Sequence, residues 1–207
     1  MVISMARLAA AGGALAAVPL TAMAGLLIDA GPVSTNQTFN TGNYVAGSEF
    51  TITAPMTIRS LGFLDAEGDG LALSHQVGLW SVSTQALLAS GTVTPTSATV
   101  PSAHGIAKWF MVGVPDVLLA AGVYRVAGEV NGDLIALAND KIPGPGVTIT
   151  AGYVRTDFPN GGFAYPNLTF GSEAVRATVS DQPVPAPGSL LALAGGVLAL
   201  GVRRRRA

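Results

Sequence analysis

IRSLGFLDAEGDGLALSHQVGLWSVSTQALLASGTV, residues 58–93, decides the fold class. Its first part, with Met56 and Thr57 ahead of it, alternates apolar and polar positions and is rich in β-branched residues, the pattern of a strand with one buried face. HQVGLW (75–80) and ALLASGT (86–92) repeat the pattern. Glu67-Gly68-Asp69-Gly70 separates the first strand from the second with residues that favour turns.

The same reading extends in both directions. EFTITA (49–54) lies before Pro55, and KWFMVGV (108–114), VYRVAGEV (123–130), VTIT (147–150) and EAVRATV (173–179) follow. Turn clusters stand between them, among them Asn131-Gly132-Asp133, Pro143-Gly144-Pro145-Gly146 and Pro159-Asn160-Gly161-Gly162. Short strands at this spacing predict an all-β domain over residues 25–182, an antiparallel β-sandwich of jelly-roll-like form. Leu118 to Gly122 reads as a helical turn at most, and residues 92–102 (TVTPTSATVPS) as a long exposed connection, a place for O-linked sugar.

The 207 residues leave room for one domain and one core between two terminal segments. Charged residues are 11% of the chain and the net charge is -1, which excludes a basic field for nucleic acid. Cysteine is absent and only His75 and His104 supply imidazole, so disulfides and a structural zinc site are excluded and packing has to hold the fold. No cofactor is expected.

At the amino terminus Arg7 precedes an apolar run over residues 8–20, followed by Ala22-Met23-Ala24, the small-x-small pattern that signal peptidase accepts. The run falls short of the roughly 20 residues of a membrane span, and Pro19 interrupts it. Residues 1–24 therefore read as a signal peptide cleaved after Ala24, with Ala22 and Ala24 as the recognised positions.

At the other end, Val184, Pro185, Ala186, Pro187 and Gly188 lead into an apolar stretch that stops at Arg203, Arg204, Arg205 and Arg206. Residues 190–202 as a helix cover about 20 Å against a hydrocarbon core of about 30 Å, so a transmembrane helix at about 188–202 is marginal in length. The arginines snorkel to headgroups and orient the terminus to the cytoplasm, leaving the domain outside. Gly195-Gly196 weakens the helix, and Pro183, Pro185 and Pro187 keep the preceding strip extended and open to a protease. A plain permanent anchor is the alternative for this segment.

Two resemblances add to these readings. Residues 58–93, with Lys108-Trp109-Phe110 and the stretch VLLAAGVY at 117–124, resemble a β-sandwich domain of unknown function common in bacterial secreted proteins. Residues 183–207 resemble the PEP-CTERM sorting signal, with Ala186 where that family usually has Glu. The second resemblance implies handling by an exosortase-type membrane enzyme in the envelope of a Gram-negative bacterium. Signal peptidase and that enzyme are then the expected partners, with exopolysaccharide as a further one.

Chemistry in the domain is sparse. Asp65, Glu67 and Asp69 alternate, with Gly70 sixth, as at the start of a calcium loop, but Gln76 occupies the twelfth place, where the loop needs a bidentate Glu. An irregular calcium site on these three residues is the metal alternative to an acidic turn. His75 and His104 carry no partner signature, and no G-x-S-x-G elbow is present. Trp80 and Trp109 fall in strands and read as core. Tyr153, Phe158, Phe163 and Tyr165 sit among Gly, Pro and Asn, where exposed rings could stack on sugars. Asn36-Gln37-Thr38 and Asn167-Leu168-Thr169 match the glycosylation triplet, into which nothing is read for a bacterial protein.

Together these features predict an exported, non-enzymatic cell-surface or extracellular-matrix protein that acts by display and adhesion. A secreted carbohydrate-binding or carbohydrate-active hydrolase is the competing class. A matrix-forming surface protein without a specific ligand is a third.

Overall fold

The computed structural model describes residues 25–32, 35–37, 44–133, 135–137, 141–156, 162–170 and 174–184. The expected signal peptide at 1–24 and the expected transmembrane helix at about 188–202 lie outside them. Within them the chain is all-β, without helix, and every strand pair is antiparallel. In chain order the strands are β1 (Ile28–Ala30), β2 (Thr35–Gln37), β3 (Tyr44–Ile52), β4 (Met56–Asp65), β5 (His75–Ser81), β6 (Leu87–Val93), β7 (Ala98–Pro101), β8 (Lys108–Leu119), β9 (Gly122–Val130), β10 (Ile135–Leu137), β11 (Lys141–Pro143), β12 (Val147–Arg155), β13 (Leu168–Phe170), β14 (Ala174–Val175) and β15 (Ala177–Ser180).

Two sheets carry the architecture. One has the order β13-β12-β3-β9-β5-β6, the other β15-β4-β8-β7. Two smaller pairings, β1-β11 and β14-β10-β2, complete the set. Phe50, Ile52, Val77, Leu79 and Val126 of the first sheet and Leu61, Phe63 and Val179 of the second belong to one buried cluster. Side chains alternate along a strand, and in β3, β5 and β9 the core residues Phe50 and Ile52, Val77 and Leu79, and Tyr124 and Val126 accordingly lie two apart. β4 differs, because from Ser60 to Asp65 every residue is buried. Such a run belongs to a strand covered on both faces. Thr178 of the neighbouring β15 shows what covers the second face: its hydroxyl donates to the Ile28 carbonyl of β1 at 2.7 Å.

The structure corrects several details of the sequence reading. Residues 92–102 are not a long exposed connection. Ser97 N–H donates to the Thr94 carbonyl at 2.9 Å and the Ser97 hydroxyl accepts from Thr94 N–H at 2.9 Å, which closes a tight turn at Pro95. β7 then pairs with β8 from Ala98 to Pro101. Nor do Leu118 to Gly122 form a helical turn: β8 runs to Leu119, and only Ala120 and Ala121 separate it from β9. Tyr124 Oη donates to the Ala120 carbonyl at 2.8 Å and steadies this hairpin.

The strand predicted at 108–114 continues through Pro115 because the register between β4 and β8 slips there. Three residues of β8, Val114, Pro115 and Asp116, oppose Arg59 alone. An irregularity of this kind accommodates a proline that has no N–H for the ladder. The stretch predicted as one strand at 173–179 is two, β14 and β15, interrupted at Arg176.

At Gly128 of β9 a side chain of the four-stranded sheet lies against bare backbone of the six-stranded one. A Cβ there would stand 2.6 Å from Cδ2 of Phe63, and the Phe63 ring is itself stacked on the His75 imidazole at 3.8 Å between centroids. Phe63 has no room to retreat. Gly128→Ala is expected to lower unfolding stability by about 1–3 kcal/mol, read by urea denaturation.

Candidate functional site

Among the described residues, three polar centres near the core and one surface junction join segments distant in sequence. The first centre is Asp29 on β1. Its Oδ1 accepts from Ala30 N–H at 2.8 Å, the Ser102 hydroxyl at 2.6 Å and Trp109 Nε1–H at 2.7 Å, and its Oδ2 accepts from Ala103 N–H at 2.9 Å. A buried carboxylate is tolerated when donors surround it in this way. Asp29 thereby ties the first strand to the turn between β7 and β8, a fastening that small secreted domains often make with a disulfide.

The second centre is His75. It is fully buried, with Nδ1 2.9 Å from the Glu129 carbonyl and Nε2 2.5 Å from Asp133 Oδ2. A carbonyl only accepts, so Nδ1 carries hydrogen. Both ring nitrogens are engaged by these two partners. Asp133 uses its other contacts to hold the loop before β5, accepting from Ala72 N–H at 2.9 Å and Leu73 N–H at 3.4 Å.

The third centre lies across β3 and β9. Glu49 and Arg125 face each other in register and pair at 2.8–2.9 Å, and Arg125 also donates to Thr169 Oγ1 at 2.9 Å and to the Pro166 carbonyl. Its guanidinium lies 5.1 Å from the Tyr165 ring centroid. Beside it Phe163 packs on Trp80 at 5.2 Å between centroids, together with Val45 and Ala127. Residues 162–169 are thus laid over the face of the six-stranded sheet that points away from the main core.

The surface junction brings together the first and last described residues. Leu27 N–H donates to the Val179 carbonyl at 2.9 Å, Leu26 bridges to Ser180, and Asp181 N–H donates to the Gly25 carbonyl at 3.2 Å. The Asp181 carbonyl then accepts from Arg59 Nη1 at 2.9 Å, and the Gln182 carbonyl from the Ser60 hydroxyl at 2.8 Å. Val184 is half-buried against the core, near Gly113 of β8.

Of the residues singled out in the sequence, Val184 is therefore docked. Pro185, Ala186, Pro187, Gly188, Arg203, Arg204, Arg205, Arg206, Ala22 and Ala24 lie outside the described residues. Asp65 is buried, and its own loop uses its oxygens: Gly68 N–H donates to Oδ1 at 2.8 Å and Gly70 N–H to Oδ2 at 3.0 Å. Glu67 and Asp69 are exposed. Among the described residues no three Asp, Glu or His side chains converge as metal ligands. The geometry is that of an acidic turn with an Asp holding the loop's amides.

His104 sits apart from His75, with its Nδ1 3.2 Å from the Gly31 carbonyl. The Ser102 hydroxyl donates to Asp29 rather than to a histidine ring. Trp80 and Trp109 are core residues, as expected from their strands. Phe163 and Tyr165 are half-buried; the Tyr153 side chain and Phe158 lie outside the described residues.

Sequence reasoning missed Asp29, Glu49 and Arg125. A charged pair inside two alternating strands was the available signal for Glu49 and Arg125, whereas the tripeptide at Ile28–Ala30 carries none for Asp29. No family model matches the chain, and no curated protein matches it. The two resemblances therefore rest on the motifs that carry them.

Asp29→Asn turns an amide toward donors that Oδ2 or Oδ1 now satisfies. It is expected to cost about 1–3 kcal/mol, measured by thermal or urea unfolding, with the Trp109 indole environment changed in fluorescence.

Proposed function

We propose that the chain is an exported, non-enzymatic surface protein. Residues 25–182 form a jelly-roll-like β-sandwich for display and adhesion, the signal at 1–24 brings it across the inner membrane, and residues 183–207 tether it or pass it to an exosortase-type enzyme. It then acts at the cell surface or in the exopolysaccharide matrix.

The observation that carries this reading is the surface junction. A signal segment with its amino end inside and a tail with its arginines inside cross one bilayer in opposite directions. The domain between them has to present both ends to the same surface. The pairing of Gly25, Leu26 and Leu27 with Val179, Ser180 and Asp181 meets that demand. The absence of enzymatic activity is supported by the occupied nitrogens of His75 and by the engagement of Ser102 with Asp29.

Two assays on the full chain from the cell envelope test this. Lys108 is exposed and is expected to react with a membrane-impermeant amine label on intact cells. No turnover is expected with generic glycosidase and esterase substrates. Turnover abolished by His75→Gln would overturn the non-enzymatic reading.

A second reading, carbohydrate binding, is favoured by Phe163 and Tyr165, whose half-buried rings flank Arg125 on one sheet face. On a glycan array it predicts binding that Tyr165→Ala weakens by about tenfold, the loss of about 1–1.5 kcal/mol of ring contact.

A further inference from the structure

The junction has an electrostatic consequence that rests on the signal-cleavage reading. Gly25 has φ +129, a backbone conformation that side chains disfavour. A Cβ there would also stand 2.5 Å from Gln182 Cγ, 2.9 Å from Ser180 Oγ and 3.1 Å from Asp181 Oδ1. Only glycine fits this position.

The last of these distances also places the Asp181 carboxylate within about 6 Å of the Gly25 nitrogen, since a Cβ lies about 2.5 Å from its own nitrogen. Hydrolysis of the Ala24–Gly25 amide gives the water's hydroxyl to the Ala24 carbonyl carbon and its hydrogen to the Gly25 nitrogen. That nitrogen then takes a further proton from solvent. A neutral amide becomes a cation next to a carboxylate.

We infer that the two ends of the domain are coupled: the α-ammonium freed at Gly25 pairs with the Asp181 carboxylate and holds residues 181–184 against β4 and β8. The holding contacts are in place, from Arg59 to the Asp181 carbonyl and from Ser60 to the Gln182 carbonyl, with Val184 lying over Gly113. Gln182 Nε2 donates to Asp181 Oδ1 at 3.0 Å and keeps the carboxylate at the junction. Of the other charged groups nearby, Arg59 reaches Asp181 through its backbone carbonyl and pairs with Asp116 at 3.4 Å. Removal of the signal thus tightens the root of the tail up to Val184. Before cleavage the same root lacks the charge pair and opens more readily.

Hydrogen exchange on the full chain from the envelope tests the coupling, after intact mass has established where the chain begins. Three forms are compared at low salt: the mature chain, its Asp181→Asn variant, and a chain kept uncleaved by Ala22→Phe. Exchange across residues 177–184 is expected to be about two- to fivefold slower in the mature chain than in the other two, the range of a partly exposed ion pair. Asp181→Glu is expected to retain most of the protection, and 0.5 M salt to remove the difference. Equal exchange in all three forms, in a chain that begins at Gly25, overturns the coupling and leaves the signal reading standing. A chain that does not begin at Gly25 overturns both.

Discussion

β4 is the strand on which the rest of the structure depends, because it is buried on both faces while its two neighbours pair along its edges. Its one face supplies Leu61 and Phe63 to the core shared with the six-stranded sheet. The other looks toward β1, which is joined to β15 through Thr178 and to β8 through Asp29 and Trp109. Phe63 sets the spacing of the sheets, since it meets the bare backbone of Gly128 on one strand and stacks on His75 of another. Close packing of that kind leaves little room for change at any of the three positions.

A chain without cysteine has to hold its loops by other means, and here it uses charge. Asp29, Asp133 and Arg125 are each placed at the edge of the core, and each collects donors or acceptors from a segment distant in sequence. Asp29 reaches the turn before β8, Asp133 the loop before β5, and Arg125 the segment that crosses the outer face. Each ion is costly to bury alone and favourable only with its full set of partners. The same networks also engage His75 and Ser102.

The strands were legible where alternation was strong. HQVGLW and KWFMVGV start where β5 and β8 start, at His75 and Lys108. Legibility failed where a local rule met a tertiary one. Residues 92–102 looked like a linker by composition, yet β8 offers an edge on which Ala98 to Pro101 can pair. Leu118 to Gly122 looked helical by composition, but both flanking strands were already committed to the ladder. Among the polar centres, Asp133 could be seen as part of a turn, but its reach to His75 across 58 positions follows from topology and leaves no trace in spacing. Asp65 was seen as a candidate ligand for the right reason, its acidic Gly-rich loop, and its oxygens serve that loop's own amides.

Under the proposed export and sorting, a domain processed at both ends would need those ends in one place, and the junction between Gly25 and Asp181 holds them there. The most direct test is the intact mass of the form recovered from the cell surface or medium. The account predicts a chain that begins at Gly25 and ends before Arg203. A chain that still carries residues 1–24, or that is found intact to Ala207 in the cytoplasm, would contradict it.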